Sequence, residues 1–197
     1  MPNVSNVKTK YFEPDGVDAD QVSASAAATT LAIADGGPYG NLTETITLYS
    51  SADNSGNTFT ITGTDGNGDA QTEDVTGPNA GAVSSTNKYL TVTSIVSDGV
   101  IATDIQAGIL GTGDLTGIVF AGRTRIRGIT GTSKASAGNI VFKNTSITGT
   151  TLLTIPLTGA VSSIDPYIPD NGVLFDAGAY INLTAADITG VTVYYDG

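Results

Sequence analysis

Three arginines, Arg123, Arg125 and Arg127, alternate with Thr124 and Ile126. Successive side chains of a strand point to opposite faces, so this spacing lines the three guanidiniums up on one side. A guanidinium offers a planar fork of donors that fits carboxylates and phosphates, and a row of like charges needs either solvent or acidic partners. The row therefore reads as the contact surface for a carboxylate-bearing partner or as a solvated face. Nucleic acid is not expected, because the row lacks the aromatic platforms that single-strand binding uses.

Other chemistry is scarce. The chain has no His, Cys or Trp, which removes the commonest general base, the thiolate nucleophile and the usual ligands of zinc, copper, haem and iron-sulfur clusters. No spacing identifies a carboxylate pair for glycoside hydrolysis, so no catalytic residue, cofactor or metal site is expected and the chain reads as a non-enzyme. Asp65, Asn67 and Asp69 match the first ligand positions of a calcium loop. Ala70 and Thr76 then stand where Gly and a bidentate Glu are required, so a hairpin tip is the better reading. Tyr167, Tyr180, Tyr194 and Tyr195 could form a carbohydrate-binding patch, although at strand positions such tyrosines usually rim a core.

The elements that must position these residues are strands. Thirty threonines alternate with apolar residues in runs such as Thr58-Phe59-Thr60-Ile61-Thr62 and Glu44-Thr45-Ile46-Thr47-Leu48. Period-two alternation gives an oily face and a hydroxyl face, and the chain reads as all-β. In the first half strands are expected near 43–50, 57–64, 70–76, 88–97 and 100–107. In the second half they are expected near 117–131, 139–144, 150–158, 173–176, 179–184 and 189–195. Asp98-Gly99 is the sharpest hairpin signal. Leu90 and Val92 share one face and Ile95 falls on the other, so a bulge near Thr93-Ser94 is needed to restore register. The alanine-rich stretch 20–28 allows a short helix, and Thr30–Ile33 reads as a strand.

Charge and glycine divide the chain. Up to Leu115 there are 14 acidic residues against three lysines, and from Thr116 onward five acids balance five bases. The glycine-rich stretch Gly108–Asp114 marks the boundary. The expected organisation is an extended N-terminal arm over 1–22, an acidic β domain over 23–115, and a neutral β domain over 116–197 with the arginine row, each a small β-sandwich or barrel-like unit. In the arm, Lys8, Lys10, Tyr11 and Phe12 join the arginines as candidate partner-binding residues. With no apolar run of transmembrane length and no signal-peptide pattern at the start, the chain is expected to be soluble and made in the cytoplasm.

The segment Gly56-Asn57-Thr58-Phe59-Thr60-Ile61-Thr62-Gly63-Thr64-Asp65-Gly66-Asn67-Gly68 is followed by Glu73-Asp74-Val75-Thr76-Gly77-Pro78-Asn79-Ala80-Gly81 and by Tyr89–Ile95. Together these resemble small β modules of tailed-bacteriophage virion proteins. The second half, from Arg125-Ile126-Arg127-Gly128 through Val141–Asn144 and Leu152–Pro156 to Val191–Tyr195, looks like a second module among phage head and tail proteins. The resemblance implies a structural role, foremost a capsid cement or decoration protein on the outer surface of the head. Its partners would be the major capsid protein and neighbouring copies of itself, without nucleic acid or membrane. The alternative is a head-fibre, tail-fibre or tail-tip module that recognises a cell-surface glycan.

Overall fold

The computed structural model describes residues 6–169 and 171–197. The fold is all-β, with 62% of residues in strands and, among the described residues, no helix and no closed barrel. Two compact units form. One comprises Asp15–Tyr39 and Thr43–Thr112; the other comprises the N-terminal segment through Pro14, Gly40–Leu42, and Gly113–Gly197. The first unit holds 12 acidic residues and one base, Lys88, whereas the second holds seven of each. They are called here the acidic and the neutral unit.

In the acidic unit, one antiparallel sheet has the order β2-β8-β3-β6, from β2 (Asp18–Ala26), β3 (Glu44–Asp53), β6 (Asn79–Tyr89) and β8 (Ile105–Ile109). The other has the order β5-β4-β7, from β4 (Thr58–Thr64), β5 (Ala70–Thr76) and β7 (Thr91–Ser97). The threonine alternation sets the faces. Ile46 and Leu48 of β3 and Phe59 and Ile61 of β4 are fully buried, while the intervening threonines are partly exposed. These side chains share one core with Tyr39, Val75, Tyr89, Val92, Ile95, Ile105 and Ile109.

The bulge expected near Thr93-Ser94 is present. Thr62 pairs with Ser94 and Gly63 with Val92, which leaves Thr93 as the extra residue. Both Val92 and Ile95 are thereby buried.

Four local expectations are corrected. Residues 18–26 form β2 rather than a helix, because Val22 and Ser23 are needed inside and the backbone pairs with β8. Asp98-Gly99 is not a hairpin. Strand β7 ends at Ser97, the chain crosses to the other sheet, and pairing resumes at Ile105 against β3. The Asp98 carboxylate accepts the Thr58 N–H and leaves Val100 87% exposed, so the crossing is capped locally. The single expected strand 88–97 breaks at Leu90, where β6 hands over to β7 in the other sheet. Thr30–Ile33 contributes one bridge, Thr30 to Val96, and with the Leu31 N–H to Ile95 carbonyl bond it covers the edge of β7.

In the neutral unit, β1 (Val7–Phe12), β16 (Ile188–Asp196), β10 (Thr124–Ser133) and β13 (Ser163–Ile164) lie in that order, with β14 (Val173–Phe175) also on β10. The second sheet has the order β12-β11-β15-β9, from β9 (Asp114–Phe120), β11 (Ala137–Asn144), β12 (Thr151–Thr158) and β15 (Ala179–Thr184). Its core gathers Phe12, Leu42, Leu115, Ile126, Ile129, Ile140, Phe142, Phe175, Ile181, Val191 and Val193.

The N-terminal segment differs from the expected arm. Residues 1–5 lie outside the described residues, but Val7–Phe12 is a full strand in register with β16, from Val7 opposite Asp196 to Phe12 opposite Val191. Asp18–Ala26 belongs to the other unit. The chain thus passes between units at Pro14/Asp15, around Gly40–Leu42, and at Thr112/Gly113, rather than once near Leu115.

Candidate functional site

Strand β10 carries Thr124 and Ile126 inward and Arg125 outward, as alternation dictates. Ile126 pairs with Tyr195 and Gly128 with Tyr194, so Arg127 is the extra residue of a bulge. The bulge absorbs the odd spacing that would otherwise turn Ile129 away from the core. Arg123 lies just ahead of the strand and is exposed.

The arginines are brought together, two on the strand and one before it. Arg125 Nη1 donates to the Asn171 carbonyl at 3.1 Å. Arg127 Nε lies 3.6 Å from Asp196 Oδ2, with the two side chains 30% and 39% exposed. An ion pair this open is worth less than about 1 kcal/mol, so both groups remain available to a stronger partner. Arg123, Thr124, Arg125, Leu174, Asp196 and Gly197 line a surface pocket of about 230 Å³.

Around the arginines the register builds a continuous outer face. Val7, Asp196 and Arg125 form one row across β1, β16 and β10; Thr9, Tyr194 and Gly128 form the next; Tyr11, Thr192 and Thr130 form the third. Two glycines shape it. A Cβ at Gly128 would touch the Tyr194 ring at 3.5 Å, and one at Gly190 would collide with the Tyr11 ring and hydroxyl, so both tyrosines lie down over glycine. Tyr194 Oη and Thr130 Oγ1 are 3.4 Å apart. Tyr11 is 47% exposed and Val7 42%. Burial, followed by the nearby Glu13 carboxylate, raises the Tyr11 hydroxyl pKa and keeps it a neutral donor. The result is an outer face of hydroxyls, two aromatic rings and arginines.

The remaining candidates part company. Phe12 is fully buried in the core, so its expected partner contact is corrected: as the last residue of β1 it faces Val191 inward. Lys8 and Lys10 point the same way. Lys10 Nζ donates to the Ile118 carbonyl at 2.6 Å and sits 5.6 Å from the Phe12 ring centroid; Lys8 Nζ sits 5.7 Å from that of Phe120. Partial burial lowers the Lys10 pKa. These lysines hold the edge strands β1 and β9 together, and inward charges on an edge discourage a further strand from adding there. Lys8, Tyr11 and Arg123 nevertheless stay exposed, and Arg125 and Arg127 are partly so.

Elsewhere the polar constellations are structural. Asp65 Oδ1 accepts the Asn67 and Asp69 N–H groups and Oδ2 accepts the Asn67 amide, which is turn chemistry. Among the described residues no three acidic side chains converge as a metal would require. The tyrosines expected as one patch are scattered: Tyr180 is buried, Tyr195 packs on the core at 5.9 Å from Phe120, Tyr194 lies on the outer face, and Tyr167 is 86% exposed in a loop. Sequence reasoning missed Thr9, Thr130, Thr192 and Val7 as members of the face, because their neighbours come from strands far apart in the chain. Comparison with family models, with curated proteins and with solved structures returned no match for this chain.

Proposed function

We propose that this chain is a structural virion protein of a tailed phage, a cement or decoration protein that binds the outer surface of the major capsid protein shell and stabilises the head. The observation that carries the reading is the outer face of β1, β16 and β10, which presents Arg125, Arg127, Tyr194 and Tyr11 across three paired strands. Arginine and tyrosine are the residues that most often anchor protein interfaces, and this face presents both around one small pocket lined by Arg123 and Arg125. The proposed partner supplies carboxylates to the arginines, and many copies on one shell add weak contacts into firm attachment. The resemblance of residues 56–95 to virion modules supports the same reading, in which the chain is not an enzyme. The glycan-binding alternative is weakened by the dispersal of its tyrosines.

The test is binding of purified protein to heads that lack it, compared with a variant carrying Arg123→Glu, Arg125→Glu and Arg127→Glu. Occupancy at equal protein concentration should fall at least ~10-fold, because reversed charges meet the carboxylates they formerly paired with. Since Arg127 and Asp196 are solvent-exposed, the variant should unfold within about 1 kcal/mol of the parent. Unchanged occupancy removes this face from the interface.

A further inference from the structure

Glu44 is the anomaly of the acidic unit. It opens β3 in phase with Ile46 and Leu48, so alternation carries its carboxylate inside, and its relative exposure is 0%. One oxygen, Oε2, accepts the Gly111 N–H at 3.1 Å. The other, Oε1, is buried with no hydrogen-bond partner among the described residues. An ionised carboxylate has no reason to sit half-satisfied in an apolar core, because each missing bond leaves desolvation uncompensated.

We propose that Glu44 is a proton-operated latch on the segment that leads out of the acidic unit: neutral, it holds Gly111 closed against β3; ionised, it loosens that segment to reach water.

The place of the latch follows from the chain path. Gly111 lies one residue before the chain leaves the unit at Thr112, and Asp15 is the first residue after it enters. The two ends touch. Gly111 has φ +62°, and a Cβ there would lie 2.6 Å from the Asp15 carbonyl oxygen and from the Gly16 carbonyl carbon. Strand β3 cannot yield, being paired with β6 on one side and β8 on the other. Past Leu110, whose N–H still bonds the Thr45 carbonyl at 3.1 Å, the exit segment has left the ladder, so water enters most cheaply there.

The charges around Glu44 agree. Burial raises its pKa first of all; the Gly111 N–H and then Lys88 of β6 pull the other way, Asp15 adds to the rise, and the Thr45 N–H opposes it, leaving a value of about 7. Tyr39 faces the same group. Burial comes first in raising its pKa, followed by Asp35, Glu44 and Asp15, so it stays a neutral phenol. Tyr89, opposite Glu44 in register, is likewise held protonated by burial and by Glu73. The switch therefore rests on one proton near neutrality.

An opening that returns Glu44 to an ordinary glutamate environment becomes ~30-fold more favourable between about pH 5.5 and about pH 8.5. Amide exchange in the full chain reads this directly. The protection factor of the Gly111 N–H, corrected for the intrinsic rate, should fall at least ~10-fold over that range and change less than ~2-fold in Glu44→Gln. The chain has three glutamates, Glu13, Glu44 and Glu73, so selective ¹³C labelling of Glu carboxyls follows Glu44 itself even if the Gln variant fails to fold. Asp15→Asn should lower its midpoint. Gly111 protection independent of pH, or a Glu44 carboxyl titrating in the ordinary carboxylate range, overturns the proposal.

Discussion

Glu44 and Ile46 are two residues apart in one strand, so the face that buries one buries the other. Parity alone flags Glu44 as a charge in the core, and that signal is present in the run Glu44-Thr45-Ile46-Thr47-Leu48. Its consequence for stability has a definite sign. The folded-state pKa of about 7 lies above the ordinary 4.5, so the native state binds the proton more tightly than the unfolded chain. The stability this supplies is fully present below about pH 4.5 and is lost as pH rises through about 7. Between about pH 5 and about pH 8 the native chain should lose on the order of 2 kcal/mol relative to Glu44→Gln, measured by urea unfolding at each pH. Parallel pH curves for the two proteins would show that Glu44 does not titrate with folding. The arginines behave differently. Arg125 and Arg127 have weak, exposed partners, so replacing them should register in binding far more than in folding.

Bulges reconcile an awkward sequence with a two-sided sheet. Val92 and Ile95 are three residues apart, as are Ile126 and Ile129, and an odd spacing cannot put both members inside a regular strand. Thr93 and Arg127 are the residues ejected from the ladder, one in each unit. Deleting Thr93 therefore makes the spacing even and joins the pairs Gly63–Val92 and Thr62–Ser94 into a regular ladder. The cost should be about 1 kcal/mol, mainly the lost bond from Thr93 Oγ1 to the Thr62 carbonyl. Deleting Thr60 from the central strand β4 should cost more than about 4 kcal/mol, because Phe59 and Ile61 can no longer both face the core. Thermal or urea unfolding of the two deletions distinguishes them; equal losses would mean that Thr93 is not the register device. The first bulge was legible because two apolar residues of one short run disagreed in parity. The sheet crossings at Leu90 and after Ser97 were not, since continuous β-forming residues do not say which sheet they join. The pairing of β1 with β16 was equally silent, because it joins residues at opposite ends of the chain.

At the scale of the molecule, charge and connectivity are distributed unequally. The acidic unit carries essentially all of the net charge of −11, while the neutral unit carries the arginine face. Composition revealed that split, but it placed the boundary a few residues late and assigned the N-terminal strand to an arm. Strand β1 instead completes the face, supplying Val7, Thr9 and Tyr11 beside the strands that hold Tyr194 and the arginines. A surface assembled from both ends of the chain exists only in the folded protein, which suits a part that attaches after it folds. Attachment through exposed charge should weaken with ionic strength, since screening acts most on exposed pairs. The proposed coating of a phage head is tested most directly by the copy number of the chain relative to the major capsid protein in intact particles. Quantitative mass spectrometry of purified virions should return a ratio on the order of one cement chain to one or a few capsid subunits, as repeated binding to a symmetric shell requires. A handful of copies per particle, or none, would contradict it.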